Sequence, residues 1–188
     1  QAGTVGRFLG QQFMAPAVVV CSNSTRTRQT LAGVLEGMQA TKLRRAVDVR
    51  AIPVHYDDAV YDAESPADLI AALASNAPAT AASVLLVAHN PPAQALAKWL
   101  ARNDTSSRAA QALQHNYPPA SLAVFALQCA RDAPDASRAP VTDDIVLGRA
   151  IERPEPEGAP SRQALDGPVD WRDCVTPQRA ALVEFFTP

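Results

Sequence analysis

Histidine and cysteine are both scarce in this chain, three of each among 188 residues. Cys21, Cys129 and Cys174 lie far apart and lack metal-ligand spacing. An odd, unclustered set argues against a disulfide scaffold and fits a cytoplasmic or other reducing intracellular compartment. His55, His89 and His115 are equally scattered, so three or four converging ligands are not available and no metal is expected. No apolar run reaches the length of a membrane span, and Gln1 opens no signal-peptide pattern. The formal net charge of −2 leaves out the basic field that nucleic-acid binders use. Neither Gly-x-x-x-x-Gly-Lys nor Gly-x-Ser-x-Gly occurs, and no cofactor motif is present.

What the chain does have is enough apolar material, 47% of residues, for one domain spanning 1–188. Val5, Phe8 and Leu9 share a helical face at the start, with no capping residue ahead of them. The chain thus opens as if inside a protein, and we read it as N-terminally truncated. A buried strand is expected from Ala17 to Cys21 and a helix from Thr27 to Gln39 with Leu31, Val34, Leu35 and Met38 on one face. Val47 to Val54 reads as a short strand or extended segment. Ser65-Pro66-Ala67-Asp68 combines an N-cap, a first-turn proline and a first-turn acid. A strand over Val84–Val87 follows, then helices to about Arg102 and around Arg108–Gln114, and closing strands at Ser121–Leu127 and Ala181–Phe186. Residues 129–170 hold six prolines and 14 charged residues around one apolar patch, Ile145-Val146-Leu147, and read as a disordered insertion. Strands alternating with helices make the remainder an α/β sandwich with a mostly parallel sheet.

Two segments carry the candidate chemistry. In Ser83-Val-Leu-Leu-Val-Ala-His-Asn-Pro-Pro92 an uninterrupted apolar strand ends on a histidine. Asn90 fits a helix N-cap there, with Pro91 in the first turn. His89 therefore stands where a strand's carboxyl end meets a helix amino end, the place where open α/β sheets bind ligands and where free N–H groups favour anions. Val18-Val-Val-Cys-Ser-Asn-Ser-Thr-Arg-Thr-Arg-Gln-Thr30 repeats the plan, with Arg26 just past its strand. A guanidinium can grip two phosphate oxygens through parallel N–H donors, and Ser22 or nearby amides could add neutral donors. Arg26, Ser22, His89 and Asn90 are thus the candidate phosphate-binding set. Cys21 raises a competing reading as a thiolate nucleophile, a loop that needs five residues before its arginine. Arg26 follows after four and Arg28 after six, so Cys21 reads as a buried strand residue. His55 and His115 read as surface or packing residues, the latter in a loop before Pro118-Pro119.

Cys21-Ser-Asn-Ser-Thr-Arg-Thr-Arg-Gln-Thr-Leu31 resembles the Ser-Pro-x-x-Arg-x-x-Gln-Thr segment of the histidine phosphatase superfamily, in its small SixA-like phosphohistidine-phosphatase branch. Val84-Leu-Leu-Val-Ala-His-Asn-Pro91 is similar to that branch's second-histidine motif. Tyr117–Phe125 and Val183–Pro188 resemble its last two strands, Trp171 an aromatic before the final one, and the opening Gln1-Ala-x-x-Val5 its first helix. The resemblance implies a phosphoglycerate mutase-like three-layer fold. It also implies a phosphatase acting through a phosphohistidine intermediate on phosphohistidine or a small phosphoester. Arg26 and His89 would then be catalytic, clamping the phosphoryl oxygens, and Ser22 and Asn90 would assist in binding. The implied partner is a phosphorylated protein or small molecule, with no nucleic acid or membrane; the oligomeric state is not indicated.

Two departures from the family pattern stand out. Asn23 replaces a proline, and the Arg-His-Gly triplet carrying the family's nucleophile is absent from these 188 residues. In the family that triplet ends a central strand, between the His89 strand and the Ser121–Leu127 strand. The chain is therefore expected to be inactive as it stands and poorly stable alone. Asp62 and Glu64 lie where some relatives keep a proton donor, a role the small branch commonly dispenses with. The rival reading is a non-catalytic phosphate-binding or scaffold protein of the same fold. A sugar-acid mutase fits less well, because substrate-covering insertions are not evident.

Overall fold

A computed structural model describes residues 1–12, 14–41, 48–115, 117–129 and 170–188. Helix α1, Ala2–Gln11, leads into strand β1, Val18–Ser22. β1 is followed by helix α2, Thr25–Gln39, and strand β2, Val54–Asp57. Two helices come next, the short α3 over Asp58–Asp62 and α4 over Pro66–Asn76. Strand β3 is Val84–Val87, and helices α5, Pro92–Leu100, and α6, Arg108–His115, follow it. Strands β4, Leu122–Leu127, and β5, Ala180–Phe186, close the fold.

β1 lies at the centre of a parallel three-stranded sheet ordered β2-β1-β3. Its register sets Val20 beside His55 and Leu86, and Cys21 beside Tyr56 and Val87. All five of its residues are buried. Because side chains alternate across a strand, Val18 and Val20 enter the core with Leu69, Leu73, Leu96 and Leu100, while Val19 and Cys21 face Leu31 of α2. Burying each of the three valines contributes about 1.5–3 kcal/mol. Helices on both faces complete the three-layer α/β sandwich.

On one face α1 crosses α2 at very close range. A Cβ at Gly6 would collide with the Val34 carbonyl, and one at Gly37 with the Gly3 carbonyl, so only glycine allows this approach. On the other face α4 opens with a full capping box. The Ser65 hydroxyl accepts from the Asp68 N–H at 3.3 Å, while the Asp68 carboxylate accepts from the Ser65 N–H at 2.9 Å. The Ser65 hydroxyl, donating to that carboxylate at 2.8 Å, and the Glu64 and Ser65 N–H groups hold the Asp68 carboxyl below the usual aspartate range.

β4 and β5 form a separate antiparallel ribbon. Phe186 stacks on Phe8 of α1 at 4.6 Å, and Leu182 packs with Ala97 and Leu113. Between β3 and β4 lies an apolar slot of about 960 Å³, lined by Val84, Leu85 and Leu86 on one side and by Leu122 to Leu127 on the other. No ladder joins the two strands. Unlike β1, both are only partly buried, although their sequences are Val-Leu-Leu-Val and Leu-Ala-Val-Phe-Ala-Leu.

Several expectations are corrected. Asn90 is not the N-cap of α5; Pro91 takes that position and the helix starts at Pro92. No strand runs up to Val54. A single 3-10 turn over Val49–Ala51, capped by Asp48, precedes β2, which starts at Val54; Val47 lies outside the described residues. His115 ends α6 rather than lying in a loop, with its Nδ1 2.7 Å from the Gln111 carbonyl. Cys129 and Cys174 are joined as a disulfide, because the end of β4 runs beside the 3-10 turn Trp171–Cys174. Only Cys21 is free among the described residues, so the compartment argument from unpaired cysteines loses its premise. The insertion expected at 129–170 lies, from 130 to 169, outside the described residues.

Candidate phosphoryl-binding cleft

The carboxyl end of the parallel sheet carries the site, and each wall follows from local sequence. β1 ends at Ser22, and Ser24 takes the extended backbone of an N-cap, its hydroxyl accepting from the Thr27 N–H at 3.3 Å. The Thr27 hydroxyl in turn donates to the Ser22 carbonyl at 2.8 Å, drawing the loop tight against the strand. Arg26 is thereby set in the first turn of α2, exposed, with its guanidinium free to reach a ligand. The Arg28 N–H closes the first helical bond to the Ser24 carbonyl, whereas the Thr25 and Arg26 N–H groups have no acceptor among the described residues. Unpaired amides at a helix start favour an anion.

The opposite wall is α3 and the turn after it. Asp57 caps α3 by accepting from the Ala59 N–H at 2.9 Å, and the Asn76 amide donates to the same carboxylate. Asn23 reaches across from the β1 loop to Asp58 at 2.9 Å, fixing the distance between the walls. Tyr61, Asp62 and Glu64 consequently face Ser24, Thr25 and Arg26 across a cleft of about 610 Å³. His89, two residues beyond the end of β3, completes the lining. Its Nε2 lies 2.7 Å from the Tyr61 carbonyl and its Nδ1 3.3 Å from the Asn90 carbonyl.

Of the four residues singled out in the sequence, Arg26 and His89 meet in this cleft and two do not. Ser22 is fully buried, and its hydroxyl accepts from the Ser24 N–H at 3.4 Å beneath the loop. Asn90 is exposed but its side chain donates to the Tyr117 carbonyl at 3.1 Å. Cys21 lies behind the loop, and burial pushes its thiol up to about 11, which the Thr27 hydroxyl and Arg28 only partly offset. A thiol held neutral in this way is a poor nucleophile. His55 is exposed on β2, away from the cleft lining. Among the described residues no three His, Cys, Asp or Glu side chains are grouped to hold a metal ion.

Sequence reading missed Tyr61. Nothing in Ala59-Val-Tyr-Asp62 marks it, because its place beside His89 depends on α3 packing across the β1 loop. Asp62 and Glu64 carried a weak signal in lying just ahead of the α4 cap.

The fold is of the phosphoglycerate mutase-like α/β type, and the chain is similar to SixA-like members of the histidine phosphatase superfamily. A candidate phosphohistidine phosphatase SixA from Nakamurella multipartitia is 31% identical over 66% of this chain and 66% of its own, with a TM-score of 0.51. The chain thus spans just under two thirds of that neighbour's length. A candidate phosphohistidine phosphatase SixA from Agrobacterium tumefaciens matches over all of this chain and 80% of its own with a TM-score of 0.54. Its 17% identity supports the shared fold alone. No family model and no curated protein matches the chain.

Proposed function

We propose that this chain is the phosphoryl-clamping body of a phosphohistidine or small-phosphoester phosphatase, and that residues 1–188 bind a phosphoryl group without turning it over. The observation that carries the reading is the meeting of Arg26 and His89 in one solvent-open cleft beside free helix amides. Arg26 offers a fork of N–H donors, and His89 offers an imidazole N–H from the facing corner. Together they would stabilise charge as it spreads over the phosphoryl oxygens in the transition state.

The nucleophile implied by the family resemblance is a histidine in an Arg-His-Gly triplet, which these residues do not contain. In that chemistry an imidazole nitrogen attacks phosphorus in line, the bond to the leaving group breaks, and water later cleaves the phosphohistidine. The apolar slot between β3 and β4 is open at the strand edges where the triplet's strand would pair. Asp62 and Glu64 line the cleft and could give a proton to a poor leaving group. A leaving imidazole needs little such help.

Calorimetric titration of the 188-residue chain with inorganic phosphate, together with assays on phosphohistidine peptide and p-nitrophenyl phosphate, tests this. The expected result is phosphate binding that His89→Ala weakens, with no turnover until a strand ending in Arg-His-Gly is supplied ahead of Gln1. Binding that persists in His89→Ala would remove the clamp. Binding without turnover even in the extended version would favour a non-catalytic phosphate-binding protein.

A further inference from the structure

Three large apolar side chains stand exposed among the described residues, Tyr56, Tyr61 and Val183. Two have local reasons. The Arg28 guanidinium lies 4.4 Å over the Tyr56 ring, and Val183 fronts the slot beside β4. Tyr61 has no such covering. It is 54% exposed at the lining of the phosphoryl cleft, and its hydroxyl makes no hydrogen bond among the described residues. Its ring lies 5.4 Å from the His89 imidazole at a tilt of 57°.

The backbone of Tyr61 already does the structural task of this position, since its carbonyl takes the His89 Nε2 hydrogen bond. The phenol ring is therefore a separate feature, a flat surface placed beside the group that would meet the phosphoryl. We propose that Tyr61 is a specificity-determining residue, its ring stacking on a planar ring attached to phosphorus through the leaving atom. The cleft would thereby select N-phosphorylated imidazole over a phosphorylated alkyl hydroxyl. An aromatic face presents negative charge density, which suits an electron-poor or protonated imidazole. Asp62 and Glu64 on the same wall add negative charge that favours such a ring and does nothing for a neutral alkyl chain. The inference rests on the phosphatase reading above.

The test is calorimetric titration of the 188-residue chain with three ligands. These are inorganic phosphate, a peptide bearing a hydrolysis-resistant phosphonotriazole in place of phosphohistidine, and the same peptide with phosphoserine. The unsubstituted chain should bind the ring-bearing peptide about three- to tenfold more tightly than the phosphoserine peptide. Tyr61→Leu should bring that ratio close to one while leaving phosphate affinity within about twofold, and Tyr61→Phe should keep the ratio. If the unsubstituted chain binds none of the three, the phosphatase reading fails and this inference with it. If phosphate binds but the ratio is one, or survives in Tyr61→Leu, only the role of Tyr61 is overturned. Loss of phosphate binding in Tyr61→Leu would likewise overturn it, by showing that the ring merely supports His89.

Discussion

His89 donates from Nε2 to the backbone carbonyl of Tyr61 across 2.7 Å, joining two segments 28 residues apart. A carbonyl can only accept, so this nitrogen carries its proton and is engaged by the protein. The longer 3.3 Å contact of Nδ1 with the Asn90 carbonyl is the weaker one. A phosphoryl oxygen likewise only accepts, so what His89 would offer it is a ring N–H released from one of these two carbonyls.

Arg26→Ala should weaken phosphate binding by about tenfold, the lower end for a charge-assisted hydrogen bond because the guanidinium is exposed. Arg26→Lys should recover only part of this, since an ammonium cannot donate two parallel bonds. Phosphate titration at fixed ionic strength measures both. Equal affinity in Arg26→Ala and the unsubstituted chain would remove Arg26 from the site.

Asp62 and Glu64 line the cleft with Arg26 and His89 and would repel a phosphate dianion bound there. Asp62→Asn and Glu64→Gln should therefore each tighten phosphate binding by about two- to fivefold at low salt, with the gain shrinking as salt screens the charges. Weaker binding in either variant would mean that the carboxyl holds a proton shared with the ligand.

The order of elements and the Arg26–His89 pairing were legible in the sequence because both depend on short-range signals. An apolar run such as Val84–Val87 forms a strand wherever it is buried, and strand ends on one side of a parallel sheet must gather. Ser65 and Asp68 announced the α4 cap by spacing alone. What was not legible depended on contacts between distant segments. Ser22 resembled a loop donor, but the Thr27 hydroxyl pulls the loop over it. Asn90 had the chemistry of an N-cap, yet the second proline of its Asn-Pro-Pro run is the first helical residue, and the Asn90 amide turns to Tyr117. The Cys129–Cys174 bond joins positions 45 residues apart.

Cys21 should make alkaline stability depend on one thiol. Its pKa is raised from about 9 to about 11 by burial, so the folded state holds the neutral form where the unfolded chain ionises. The stabilisation is complete below pH 9 and is lost as pH climbs through 11, a decline of order 2 kcal/mol. Cys21→Ala should be less stable at pH 8 because it leaves a small void, but its stability should fall less between pH 9 and 11. Urea titrations of both chains across that range provide the comparison. Parallel curves would mean that the thiol ionises normally.

The slot between β3 and β4 makes a prediction about the whole fold. Strand edges that present apolar side chains and unpaired N–H and C=O groups gain stability when another strand pairs with them, and invite association when none does. Residues 1–188 alone should thus bind a hydrophobic dye such as ANS and melt broadly at modest temperature. A version with an apolar strand ahead of α1 should lose the dye signal and melt sharply, because that strand would bury both edges together. Its added core should also raise the denaturant slope, which scales with the surface exposed on unfolding. If the 188-residue chain instead melts as one sharp transition without binding dye, the slot must already be closed in solution, and the placing of a nucleophile-bearing strand there would have to be abandoned.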